Sequence, residues 1–106
     1  MKSSEALLKA STFYQSNNLP VIGRQAGVSP RLIAYDRDTG EMILVAVRRP
    51  RSKNYRASQR SCRNIIGRLL AWRRAWVKSN KWEGPVRLES ISVYMDGEMD
   101  RIFHSK

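Results

Sequence analysis

The chain has 106 residues, 42% of them hydrophobic and 27% charged, the make-up of one globular domain; this excludes a disordered chain and leaves no length for a second core. Its 20 Lys and Arg against 9 Asp and Glu give a formal charge of +11, which favours polyanionic partners, nucleic acid first. A single cysteine, Cys62, excludes an internal disulfide and a cysteine-based zinc site and fits a reducing cytoplasm; no stretch approaches the about 20 apolar residues of a membrane span, and no apolar run of signal-peptide length opens the chain.

From Ser4 to Asn17, Ala6, Leu7, Ala10, Phe13 and Tyr14 recur at three- and four-residue spacing, which predicts a helix with Ser3 or Ser4 as N-cap and Asn17-Asn18 at its C-terminal end. Leu19 to Gly23 reads as a short strand, and Pro20 near its start assigns it to a sheet edge or an irregular beginning. A turn over Gln25 to Ser29 leads to a second strand, Arg31 to Asp36. Asp36-Arg37-Asp38-Thr39-Gly40 has the composition of a hairpin loop. The third strand, Met42 to Val47, is nearly all apolar, the pattern of a central strand buried on both faces.

A basic loop, Pro50 to about Ala57, precedes a long helix expected over Ser58 to Asn80. At about 100° per residue, Cys62, Ile65, Ile66, Leu69, Trp72 and Trp76 gather on one side of it and Arg60, Arg63, Arg74 and Lys78 on the opposite side. Arg73 falls at the edge of the apolar face, where its stem packs and its head reaches water. Gly84-Pro85 ends this segment; Val86 to Tyr94 is a fourth strand, Asp96-Gly97 the signal of a tight hairpin, and Met99 to His104 a short fifth strand. The expected fold class is α/β, a single domain with a mixed sheet of about five strands flanked by helices.

Charge is not spread evenly along this order. Between Glu41 and Glu83 stand twelve Lys or Arg residues and no acid. A charge run is ordinarily a solvated face, but this asymmetry favours binding, and arginine outnumbers lysine in it, which suits bidentate contacts with phosphate. The binding candidates are Arg31, Arg48, Arg49, Arg51, Lys53, Arg56, Arg60, Arg63, Arg74 and Lys78. Tyr55 in the basic loop reads as a loop anchor ahead of a base-stacking group. Trp72 and Trp76, four residues apart, read as core packing ahead of base stacking; the position of Trp82 leaves a lid and an exposed aromatic equally open. Gly67, inside the cationic stripe, costs the helix about 1 kcal/mol relative to Ala. Cys62 has no histidine near it in sequence and reads as a small buried hydrophobe.

Val28-Ser29-Pro30-Arg31-Leu32-Ile33-Ala34, Val45-Ala46-Val47-Arg48-Arg49-Pro50, the arginine-rich helix and Val86-Arg87-Leu88-Glu89-Ser90-Ile91 follow each other as do the segments of the YraN-type family of small bacterial proteins. The chain resembles that family over most of its length. The resemblance implies a restriction-endonuclease-like core related to Holliday junction resolvases. In that superfamily an Asp on the second strand, and a Glu and a Lys two positions apart on the third, are expected to hold a divalent metal and position the attacking water. At the matching positions stand Arg31, Ala46 and Arg48. Magnesium demands hard anionic oxygens, so a cation and a methyl group in those places abolish this constellation.

Strand alternation gives Ala46 a face shared with Met42, Leu44 and Arg48, while Glu41 falls with Ile43, Val45 and Val47, and Asp36 has the opposite parity to Arg31. Neither acid replaces the missing ligands. Glu5, on the first helix, matches an acid that similar nuclease-like proteins carry, but a single carboxylate makes no metal site. The expected function is therefore nucleic-acid binding without cleavage and without a cofactor, with DNA ahead of RNA only because of the resemblance. A subunit that pairs with itself, as a homodimer, or with an active nuclease also fits. The alternatives are an endonuclease with a relocated site and a protein-interaction module for an acidic partner.

Overall fold

A computed structural model describes residues 2–27, 29–50 and 59–104, excluding the side chains of 59–64. The elements run α1 (Ser3–Ser16), β1 (Val21–Gln25), β2 (Arg31–Asp36), β3 (Glu41–Arg48), α2 (Gln59–Asn80), β4 (Val86–Val93) and β5 (Met99–Phe103). The five strands form one sheet in the order β1-β2-β3-β4-β5, antiparallel except for the β3–β4 pair, which is parallel. A parallel pair needs a crossover, and α2 supplies it on one face while α1 covers the other. The fold is thus α/β with a mixed five-stranded sheet.

Strand β3 is central, and its odd and even residues serve different layers. Ile43, Val45 and Val47 pack with Ala6, Leu7, Ala10 and Tyr14 of α1 and with Leu32, Ala34, Ile91 and Val93. Leu44 packs with Leu69 of α2 and with Leu88, flanked by half-buried Ile33, Ala46, Ile65, Trp72 and Trp76. The α1 layer is closed; on the α2 side Leu69 is the helix residue that is fully buried among the described side chains, so this layer is the more open of the two.

Several boundaries depart from the sequence expectation. Helix α1 starts at Ser3, with Lys2 in the N-cap position in extended conformation and no side-chain cap; tertiary packing of Ala6, Leu7 and Ala10 holds this end instead of a serine hydroxyl. Its other end is as expected, with Asn17 at the C-cap and Asn18 at φ 65°. Strand β1 begins two residues later than Leu19, because Leu19 is buried in the α1 layer and Pro20 has no N–H to give; its far end runs to Gln25, which pairs with Arg31. It is an edge strand with a register shift between Val21 and Gly23, as Pro20 suggested.

The β2–β3 hairpin closes locally. Asp36 Oδ1 accepts hydrogen bonds from the Asp38 and Thr39 N–H groups at 2.9 and 3.3 Å, and Gly40 turns the chain at φ 74°. After α2, Trp82 is half-buried, with its ring edge-on to Trp76 and Tyr35 and its Nε1 donating to the Pro85 carbonyl at 3.1 Å. It covers the end of β2 beside Trp76, and Gly84 is required beneath it, since a Cβ there meets the indole at 2.7 Å. No described helix is long and apolar enough to cross a membrane.

Candidate functional site

The register Arg31↔Ala46 and Ala46↔Ser90 places these residues side by side on the α2 face of the sheet, with Arg48 two positions along β3 opposite Ser92. Strand parity therefore holds: the three positions matched to the metal-binding motif share one face, and Asp36 and Glu41, paired with each other in register, lie on the other. Here the sheet and α2 diverge and leave a cavity of about 740 Å³. Arg31, Arg48, Arg49 and Arg68 line it together with an apolar wall that includes Ala46, Ile65, Leu69 and Trp72. The Arg31 guanidinium lies over the Trp72 ring, 4.9 Å from its centroid.

No carboxylate lines this cavity, and the ion pairs of Arg87 and Arg101 lie elsewhere and do not involve Arg31, Arg48 or Arg68. Like charges gathered in a concave, partly apolar site focus a positive potential there. No group of three or more His, Cys, Asp or Glu side chains arranged as metal ligands occurs among the described residues. Glu5 is exposed on α1, across the sheet from the cavity.

Of the arginines and lysines expected to bind, Arg31, Arg48 and Arg49 come together in the cavity. Arg74 and Lys78 are exposed on α2 and do not line it. Arg60 and Arg63 lie on the first turns of α2, but their side chains, like that of Cys62, fall outside the described residues, as do Arg51, Lys53, Tyr55 and Arg56 of the expected basic loop. Arg68 joins the cavity without having been singled out; its signal in the sequence is its place four residues before Trp72, flanking the apolar stripe. Trp72 both packs, as expected, and lines the cavity. Arg73 is half-buried, consistent with a packed stem, and Gly67 faces open space.

Two further clusters come only from the tertiary structure. On the α1 face, fully buried Glu89 accepts hydrogen bonds from Tyr14 (2.6 Å), Arg87 Nε (2.6 Å) and Arg101 Nε (2.5 Å) and Nη2 (3.0 Å). Arg87 also reaches Asp36 at 3.1 Å and Glu41 at 3.0 Å. Burial first, then the Glu89 charge, push the Tyr14 phenol far above its ordinary value, so it stays a donor. Desolvation raises the Asp36 carboxyl, but Arg87 and the N–H groups of Asp38 and Thr39 outweigh it and hold the group below the ordinary range.

On the α2 face, Ser90 Oγ lies 2.7 Å from His104 Nε2. A serine beside a histidine is the raw material of a nucleophile, but Ser90 is 1% exposed and neither residue lines the cavity. Burial, then the Arg48 charge, lower the His104 pKa, with Glu89 opposing. No family model matches this chain, and no curated protein matches it.

Proposed function

We propose that this chain binds nucleic acid without cleaving it, DNA ahead of RNA, on a restriction-endonuclease-like core in which Arg31, Ala46 and Arg48 stand where metal ligands are expected. The observation that supports this most is the cavity lined by Arg31, Arg48 and Arg68 with no carboxylate in its lining. Arginines gathered in this way repel one another, and a polyanion relieves the repulsion while meeting planar, bidentate donors. The same charges repel a divalent cation, which argues against metal-dependent hydrolysis at this place. Arg74 and Lys78, exposed on α2, extend the positive surface along the helix toward further phosphates.

The test is a titration of labelled duplex DNA against salt, with and without Mg²⁺. Log affinity falls linearly with log salt, at about 0.9 per phosphate contact. Replacing Arg68, Arg74 and Lys78 together by Ser makes the slope shallower by up to about 2.7, and Mg²⁺ brings no cleavage. Absence of binding near physiological salt, or an unchanged slope in the triple variant, sinks the proposal and favours an acidic protein partner.

A further inference from the structure

We infer that the cavity receives a single unpaired nucleotide of a strand, its phosphate among Arg31, Arg48 and Arg68 and its base against the Arg31–Trp72 stack. The inference rests on the nucleic-acid reading above and specifies which form of nucleic acid the site takes.

Size and shape come first. At about 740 Å³ the cavity lies within the roughly 300–1,000 Å³ typical of small-molecule sites. It is a recess between sheet and helix, not a flat surface. A duplex offers its phosphates on a convex rod and keeps its bases stacked inside, so a paired base enters such a recess only if it is first extruded, at a cost of a few kcal/mol. An unpaired base has no such cost.

The chemistry of the walls narrows the occupant further. One part is cationic, Arg31, Arg48 and Arg68; the other is apolar, with Ala46, Leu69 and Trp72 among its residues. A bare phosphate or sulfate leaves the apolar wall unmatched, and an uncharged aromatic compound leaves the guanidiniums unmatched. A nucleotide carries both halves, an anion and a flat ring, a short distance apart. The guanidinium of Arg31, 4.9 Å from the Trp72 centroid, is already stacked on an aromatic ring. Unpaired bases are held on such aromatic and guanidinium surfaces. Because every base has such a face, the site reads whether a base is unpaired and has little preference for which base it is.

The experiment compares a labelled single strand of about 12 nucleotides with the same strand carrying abasic sites and with a blunt duplex, by fluorescence anisotropy at one salt concentration. The abasic strand keeps the phosphates and loses the bases, so phosphate attraction alone treats it like the normal strand. The intact strand is expected to bind about tenfold tighter than the abasic one. Arg31→Gln and Trp72→Leu each remove that difference, whereas Lys9→Ser, exposed on α1 across the sheet from the cavity, retains it. The wild-type comparison stands by itself if a cavity variant fails to fold.

Equal affinity for intact and abasic strands overturns the inference and leaves the nucleic-acid proposal intact. No binding to any strand or duplex overturns both. Displacement of the strand by a free nucleoside monophosphate, at lower concentration than by unlabelled strand, overturns the assignment to a strand and gives the cavity to a free nucleotide.

Discussion

Glu89 has no solvent exposure, yet it carries a charge between two arginines and a phenol. Taking a carboxylate out of water is costly, and four hydrogen bonds with two opposite charges offset that cost here. Removing the partner is another matter, since Arg87 and Arg101 are then left half-buried and without it. Glu89→Ala is expected to destabilise the fold by about 3–5 kcal/mol, read by urea unfolding; a loss below about 1 kcal/mol contradicts this account.

His104 permits a second prediction at the same scale. Its pKa is lowered by burial and by Arg48, so between the ordinary 6.5 and the folded value the unfolded chain binds more protons than the folded one. Stability from this group is complete above 6.5 and declines as pH falls through that window. It is the sole histidine, so its NMR titration is unambiguous. The midpoint is expected below 6.5, and Arg48→Gln is expected to move it upward. A midpoint above that value rejects the burial of His104, and one that Arg48→Gln leaves unmoved rejects the influence of Arg48.

Among the elements, α2 has two faces with different work. Leu69 is 2% exposed and reaches Leu44 and Leu88 across the sheet, whereas Arg74 is exposed. Leu69→Ala is expected to cost about 2–5 kcal/mol in a denaturant titration, and Arg74→Ala less than about 0.5 kcal/mol. Similar costs for the two rule out the helix orientation described here. The amphipathic spacing of α2 was legible in the sequence, because a 3.6-residue period is a local property. The width of the gap it leaves over Ala46 was not, since that depends on how far Trp72 and Ile65 hold the helix from the sheet.

At the scale of the whole molecule, the sheet divides charge between its faces. Every carboxylate on β2, β3 and β4, namely Asp36, Glu41 and Glu89, lies on the α1 side and is joined to Arg87. Arg31 and Arg48 lie on the α2 side. With a net charge of +11, repulsion dominates at low salt, while the buried pairs around Glu89 are little screened. Raising NaCl from about 10 mM to about 150 mM shortens the Debye length from about 30 Å to about 8 Å. The Tm is therefore expected to rise over that range, with a further rise on adding DNA, both read by thermal denaturation. A Tm that falls with salt shows that surface ion pairs, not repulsion, set the balance.

The sequence by itself determined the two helices, the five strands, the central place of β3 and the face on which each strand residue lies, because helix and strand periods are fixed by local backbone geometry. It also showed that Ala46 shares a face with Arg48 and not with Glu41, and that Asp36 has the opposite parity to Arg31; that Arg31 stands beside Ala46 comes from the β2–β3 register. It did not show that Glu89 is buried among Tyr14, Arg87 and Arg101, that Ser90 meets His104, or that Arg68 and Trp72 close a cavity over Arg31. Those meetings join residues far apart in the chain. They follow from the parallel pairing of β3 with β4 and from the packing distance of α2, which no local period specifies.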